Sequence, residues 1–203
     1  MRAVDSSAAL DRVMQSCQAY GVWDPSWTTR ITCVTGNLGD PRLGLSESTW
    51  NELSEKVNVV IHNGAHVHWV YPYSNLKSAN VHGTLDILAF CATGLPKRLS
   101  FVSSTSVLDT PYFVKLSADS VAKGGKGVTE DDDLSGSATG LETGYGQSKW
   151  VAEYLVRAAG SRGLHGTIIR PGYVTGDKAS GVTNTDDFLI RMAKRMYPAG
   201  LPT

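Results

Sequence analysis

Tyr145 and Lys149 stand four apart in the run Tyr145-Gly146-Gln147-Ser148-Lys149. On a helix that spacing puts both side chains on one face, about a turn apart. A lysine ammonium beside a phenol favours the phenolate and draws the tyrosine pKa down from its reference of about 10, toward a range useful for proton transfer. The pair has the make-up of a general acid, although the same spacing also arises in helices that merely expose a Tyr beside a Lys. Upstream, the apolar run 99–102 leads into Ser103-Ser104-Thr105-Ser106-Val107. If that run is a strand, its hydroxyl cluster lies at the carboxyl end, where parallel sheets bind ligands. One of these hydroxyls can then hold a substrate oxygen beside the tyrosine; the plainer reading is a serine-rich turn. His62, His66 and His68 lie close together, but no fitting carboxylate or thiolate spacing accompanies them, so no metal is expected. Cys17, Cys33 and Cys91 are an odd number in separate apolar segments without a CxxC pair, and read as reduced, buried core residues.

The elements that must position these groups follow from periodicity. Leu10, Val13, Met14 and Cys17 repeat at the helical period over 7–20, with Ser6 and Ser7 to cap the start and Gly21 past the end. The β-branched run 31–34 predicts a strand, and Ser46 opens a helix with Trp50, Leu53 and Val57 on one side. Val59-Val60-Ile61 is continuously apolar, as suits a strand buried on both faces of a parallel sheet. A helix is expected over 75–91, with Gly94 and Pro96 as stop signals, then a strand over 99–103. The stretch 109–143, with Glu130-Asp131-Asp132-Asp133, shows no apolar period and reads as a long loop. A helix over 145–162, a strand at 167–169 and a last helix from about Asp186 complete the order. Alternating strands and helices predict an α/β fold, a doubly wound parallel sheet.

With 203 residues the chain fits a single domain, spanning 1–203. Apolar residues make up 41% and the formal net charge is zero, which argues against a disordered chain and against a nucleic-acid partner. No apolar stretch approaches the roughly 20 residues of a membrane span, and the first ten residues lack the features of a signal peptide. No membrane partner and a cytoplasmic location are therefore expected.

The ordered motifs Ile61-His62-Asn63-Gly64-Ala65, Ala79-Asn80-Val81-His82-Gly83-Thr84, Phe101-Val102-Ser103-Ser104, Tyr145 to Lys149, and Arg170-Pro171-Gly172-Tyr173-Val174 resemble an extended short-chain dehydrogenase/reductase, a Rossmann-like fold. Within that superfamily, residues 67–73, 104–110 and 181–187 resemble the thioester reductase domains, nearest the fungal aminoadipate reductase type and related reductases of nonribosomal-peptide-synthetase-like enzymes. The resemblance implies NADPH-dependent reduction of an acyl thioester, carried by a phosphopantetheinyl carrier domain as partner, to an aldehyde. It makes Ser104, with Thr105 as the alternative, the hydroxyl that holds the carbonyl oxygen. Tyr145 becomes the proton donor, and Lys149 lowers the tyrosine pKa and binds the nicotinamide ribose. Pro171, Gly172 and Val174 would lie along the nicotinamide, and Asn63, Gly64, Ala65 and Asn80 along the cofactor's middle. Arg2, joined by Arg12 or with Arg12 only a solvated surface residue, would contact the adenosine 2′-phosphate and so favour NADPH.

The chain departs from that pattern at its start. The family opens with a strand and a glycine-rich phosphate turn, which is not found here. Thr35-Gly36-Asn37-Leu38-Gly39 follows an expected strand, but Asp40-Pro41 comes next and no helix begins until about Ser46. Asn37 and Leu38 instead match a later segment near the adenine, with Asn37 where the family has Asp. The first strand and glycine turn are thus expected to be lacking, and a cut at both ends is the expectation. Two other readings stay open: a reductase or epimerase of the same fold acting on a free small molecule, and a noncatalytic remnant.

Overall fold

The structure, a computed structural model, describes residues 3–196, which fall into two compact units. One holds Ala3 and residues 35–172; the other holds residues 4–34 and 173–196. The first contains a parallel sheet of β1 (Val59–His62), β2 (Arg98–Val102) and β3 (Gly166–Ile169) in that order. Register places His62 opposite Phe101, and Phe101 opposite Ile168. Parallel neighbours need long crossovers, and helices supply them. Between β1 and β2 run α3 (Tyr73–Lys77), a π turn (Ser78–His82) and α4 (Gly83–Cys91), preceded before β1 by α2 (Glu47–Ser54). Between β2 and β3 run α5 (Pro111–Ala122) and α6 (Gly144–Gly160).

Leu99 and Phe101 alternate onto one face of β2 and pack against Ile87 and Cys91 of α4 and Ala152 and Val156 of α6, forming the core. Because both helices lie on that face, the other face is not covered within this unit. Val59 and Ile61 are 56% and 72% exposed, so the strand expected to be buried on both sides is buried on one. The same helical face explains α6. Thr143 accepts the Gly146 N–H at 3.0 Å to cap its start, and Ser148, Lys149, Ala152, Glu153 and Val156 turn inward.

The second unit contains α1 (Ser6–Ala19) and α7 (Phe188–Met196). Asp5, not Ser6 or Ser7, caps α1 by accepting from Ala8 N–H at 2.8 Å. No strand forms at 31–34, a run that belongs to the second unit. The loop expected over 109–143 contains α5, a helix anchored by one fully packed residue, Phe113, which gives too weak an apolar repeat to read. Pro111 directly after Thr110 was its available start signal. Cys91 is buried as expected, while Cys17 and Cys33 are only half-buried; all three are free thiols.

Candidate active site

The carboxyl ends of the three strands continue into Asn63, Ser103 and Arg170, so the loops that follow share one end of the sheet. The loop after β2 stays tied to the one after β3. Ser103 N–H donates to the Ile169 carbonyl at 2.7 Å, and Thr105 N–H to the Pro171 carbonyl at 3.4 Å. Beside them, α6 begins close to the sheet end because Gly144 admits the 71–73 backbone. A Cβ at Gly144 would stand 2.4 Å from the Tyr71 carbonyl oxygen and 2.5 Å from the Tyr73 nitrogen.

Ser104 lies near enough to Tyr145 to act on its phenol: burial pushes the phenol above its ordinary pKa, and Ser104 offsets part of the rise. Ser104 Oγ itself accepts from Ser106, at 3.2 Å from its N–H and 2.8 Å from its hydroxyl. Lys149 lies a turn further on and is buried; the net shift of the phenol is upward, not downward as the spacing suggested. Its ammonium donates to the Val102 carbonyl at 2.6 Å and lies 4.3 Å from the centre of the Phe101 ring. Burial pushes Lys149 down to about 8, opposed by the charge of Glu153.

Asn80 occupies the π turn, where one extra residue per turn buries Ala79, Asn80 and Val81 in succession. Its amide nitrogen donates to the His66 carbonyl at 3.0 Å and to Ser148 Oγ at 2.9 Å, and its oxygen accepts from His66 N–H at 2.7 Å. Asn80 thus pins the 63–66 loop to α6 rather than offering free polar atoms. Asn63 and Gly64 are exposed and Ala65 half-buried at the end of β1. Leu38 packs on Gly64, and its carbonyl approaches Gly83 so closely that a Cβ there would lie 2.6 Å away. The Asn37 side chain accepts from Gly39 N–H at 3.3 Å, an Asx turn of its own segment.

Ser104, Tyr145, Lys149, Asn37, Leu38, Asn63, Gly64, Ala65, Asn80, Pro171 and Gly172 therefore all belong to the first unit. Arg12, on α1, and Val174 belong to the second. Val174 lines a cleft of about 710 Å³ there with Tyr20, Val22, Asp177, Val182 and Asp187; neither Ser104, Tyr145 nor Lys149 borders it. Arg2 lies outside the described residues. Ser103, read in the sequence as one of the hydroxyl cluster, instead donates inward to Glu153 at 2.6 Å, and two groups went unread: Ser148, which holds Asn80, and Glu153 itself. The Tyr145, Lys149, Glu153 spacing of four and four was the signal for the last. Among the described residues there is no group of metal-ligating side chains, and no helix is long and apolar enough to cross a membrane.

The residues present fit the nicotinamide end of a dinucleotide. At Gly172 nothing stands within 4 Å of a Cβ position, leaving room for a ring to approach the backbone, and Asn63 and Gly64 are exposed just after β1, at the same end of the sheet.

The NAD-binding family described as Male sterility protein matches residues 1–202. The L-2-aminoadipate reductase of Schizosaccharomyces pombe is 55% identical over 201 residues, and the corresponding large chain from Penicillium chrysogenum 56% identical over 201 residues; each match covers 99% of this chain and 14% of the relative. A component of the linear gramicidin synthase of Brevibacillus parabrevis is 37% identical over 200 residues, 98% of this chain and 4% of that protein. Among solved structures, the terminal R domain of the myxalamid PKS-NRPS pathway superposes with a TM-score of 0.84 at 39% identity, covering 98% of this chain and 49% of that one. The chain thus spans about one seventh of the aminoadipate reductases it matches. On its sequence and its fold, the chain belongs to the male sterility family of NAD-binding proteins, in the reductase-domain branch of the extended short-chain dehydrogenase/reductases.

Proposed function

We propose that the protein carrying this chain reduces an acyl thioester, held on a phosphopantetheinyl carrier domain, to an aldehyde at the expense of NADPH. The observation that supports it is the grouping of Ser104, at the carboxyl end of β2, with Tyr145 and Lys149 at the start of α6, where Lys149 donates to the Val102 carbonyl at 2.6 Å and Ser104 acts on the half-buried phenol. Burial keeps the phenol protonated at neutral pH, as a proton donor in the reductive direction must be. On this reading Ser104 and Tyr145 would donate to the carbonyl oxygen as it gains negative charge. Lys149 holds positive charge behind the phenol and stabilises the phenolate left after proton transfer. When bound, the nicotinamide supplies the hydride that the carbonyl carbon receives. Asn63, Gly64, Ala65, Pro171, Gly172 and Lys149 would hold its nicotinamide and ribose; Asn80 supports the first three through His66. Arg2 and Arg12 would select the 2′-phosphate. Release of the carrier thiol then leaves the aldehyde.

The carrier-bound substrate is favoured by the relatives: one is a component of a linear gramicidin synthase, and a thiolation-reductase di-domain of an archaeal nonribosomal peptide synthetase shares the fold at a TM-score of 0.68. The test replaces the matching 201 residues of the Penicillium reductase with this chain and follows NADPH oxidation on carrier-bound and free acyl substrates. The carrier-bound thioester is expected to be the faster substrate. Tyr145→Phe should lower kcat by about 10² to 10⁴-fold with NADPH affinity unchanged. A Tyr145→Phe chimera as active as its parent would contradict the assignment.

A further inference from the structure

Glu153 is a charged group that proton donation and cofactor binding leave without a task. It is fully buried, one turn of α6 past Lys149 and two past Tyr145. Its Oε2 accepts from Ser103 Oγ at 2.6 Å and Arg170 Nε at 3.1 Å. Its Oε1 accepts from Arg170 Nη2 at 2.6 Å, Arg170 Nε at 3.2 Å and Arg157 Nε at 3.0 Å. Ser103 immediately precedes Ser104 at the end of β2, and Arg170 immediately precedes Pro171 at the end of β3. One carboxylate therefore joins three segments that meet at the site. Burial alone would drive it neutral, but its bonds to Arg170, Ser103 and Arg157 more than offset that and hold it below the usual carboxylate range, so it is ionised.

Lys149 needs such a neighbour. Facing it are His62 from β1, neutral because burial and Lys149 itself push it down to about 4, and the Phe101 ring and Val102 carbonyl from β2; on its own helix Tyr145 stands one turn before it and Glu153, whose charge acts on it, one turn after. Behind Glu153 stand the guanidiniums of Arg170, 14% exposed, and Arg157, 33% exposed. Among the described residues Glu153 is the anion that acts on Lys149, and it opposes the burial that would discharge the ammonium.

We propose that Glu153 is a positioning residue that keeps the Lys149 ammonium charged beside Tyr145 while locking Ser103 and Arg170, and through them Ser104 and Pro171, to helix α6. Its importance for turnover rests on the reading that Lys149 serves the proton donor; the coupling of the two charges does not depend on any substrate. Removing the carboxylate charge lowers the pH at which Lys149 loses its proton, whereas removing the Ser103 tie alone loosens the loop and leaves the charge.

The experiment is a pH titration of the Lys149 ε-carbon by NMR in the full chain with labelled lysine, the signal assigned by Lys149→Arg. In the unmodified chain the midpoint is expected near 8. In Glu153→Gln it should fall by about one pH unit or more, and in Ser103→Ala it should stay within about 0.3. If Glu153→Gln does not fold because it strands the Arg170 charge, Arg170→Met, which keeps the carboxylate and removes a positive neighbour, replaces it and should raise the midpoint. An unmoved midpoint in the folded variant, or an equal shift in Ser103→Ala, would overturn the proposal. An inactive chimera would defeat the reductase reading and leave this coupling standing, and the reverse outcome is equally distinct.

Discussion

His62 shows how closely the charges around the site are balanced. Thr84 Oγ1 gives its hydrogen to the Asn80 carbonyl at 2.7 Å, so at 3.0 Å the His62 Nε2–H is the donor to Thr84, which fixes the neutral tautomer. With its pKa pushed from 6.5 to about 4, first by burial and then by Lys149, His62 stays neutral in the folded chain through a range where the unfolded chain binds a proton. Its contribution is fully present above about pH 6.5 and is lost as pH falls toward 4. Between pH 7.5 and 4.5 the unmodified chain should therefore lose about 2 to 3 kcal/mol more stability than His62→Gln, read from urea midpoints. Equal losses would show that His62 is not held neutral. At this scale the sequence was informative about which residues matter and less so about their state. The Tyr145–Lys149 spacing put both on one helical face, as found, but a half-buried phenol near Ser104 and a lysine directed at Val102 depend on how closely α6 approaches the sheet. Spacing along one element carries no such information.

The elements set that approach. Gly144 lets the start of α6 pass the 71–73 backbone, whereas Gly160, at the other end of the same helix, has open space around it. Gly144→Ala should destabilise by more than about 1 kcal/mol through forced backbone movement, and Gly160→Ala should stabilise by up to about 1 kcal/mol through helix propensity, both measured by thermal or urea unfolding. Similar effects at the two positions would mean that the helix start is not constrained. The helix α1 was readable from its helical period, β1 from an unbroken apolar run, and α4 from its apolar content and the stop signals Gly94 and Pro96 that follow it. The strand expected at 31–34 does not form, so β-branched composition alone did not decide it, and α5, which presents a single packed residue, Phe113, to the interior, was missed. The π turn at Ser78–His82 was not readable either, since its burial of three consecutive residues breaks the period by which helices are recognised.

At the scale of the whole molecule, membership of the NAD-binding reductase family was carried by five motifs in order rather than by any one of them, and a family match over residues 1–202 bears this out. If Arg2 and Arg12 read the 2′-phosphate as proposed, cofactor choice is a property of this scale, since both are remote in sequence from Tyr145. Arg12→Ala in the chimera should weaken NADPH binding and leave NADH binding unchanged, by calorimetry; equal losses for both would remove the 2′-phosphate role. The most direct test of the account supplies the chimera with NADPH carrying deuterium on the transferable position, together with a carrier-bound acyl thioester, and examines the product by mass spectrometry. The account predicts an aldehyde bearing one deuterium at the carbonyl carbon and a free carrier thiol, both lost in Tyr145→Phe. Release of unlabelled acid, or an untouched carrier thioester alongside a reduced free substrate, would contradict it.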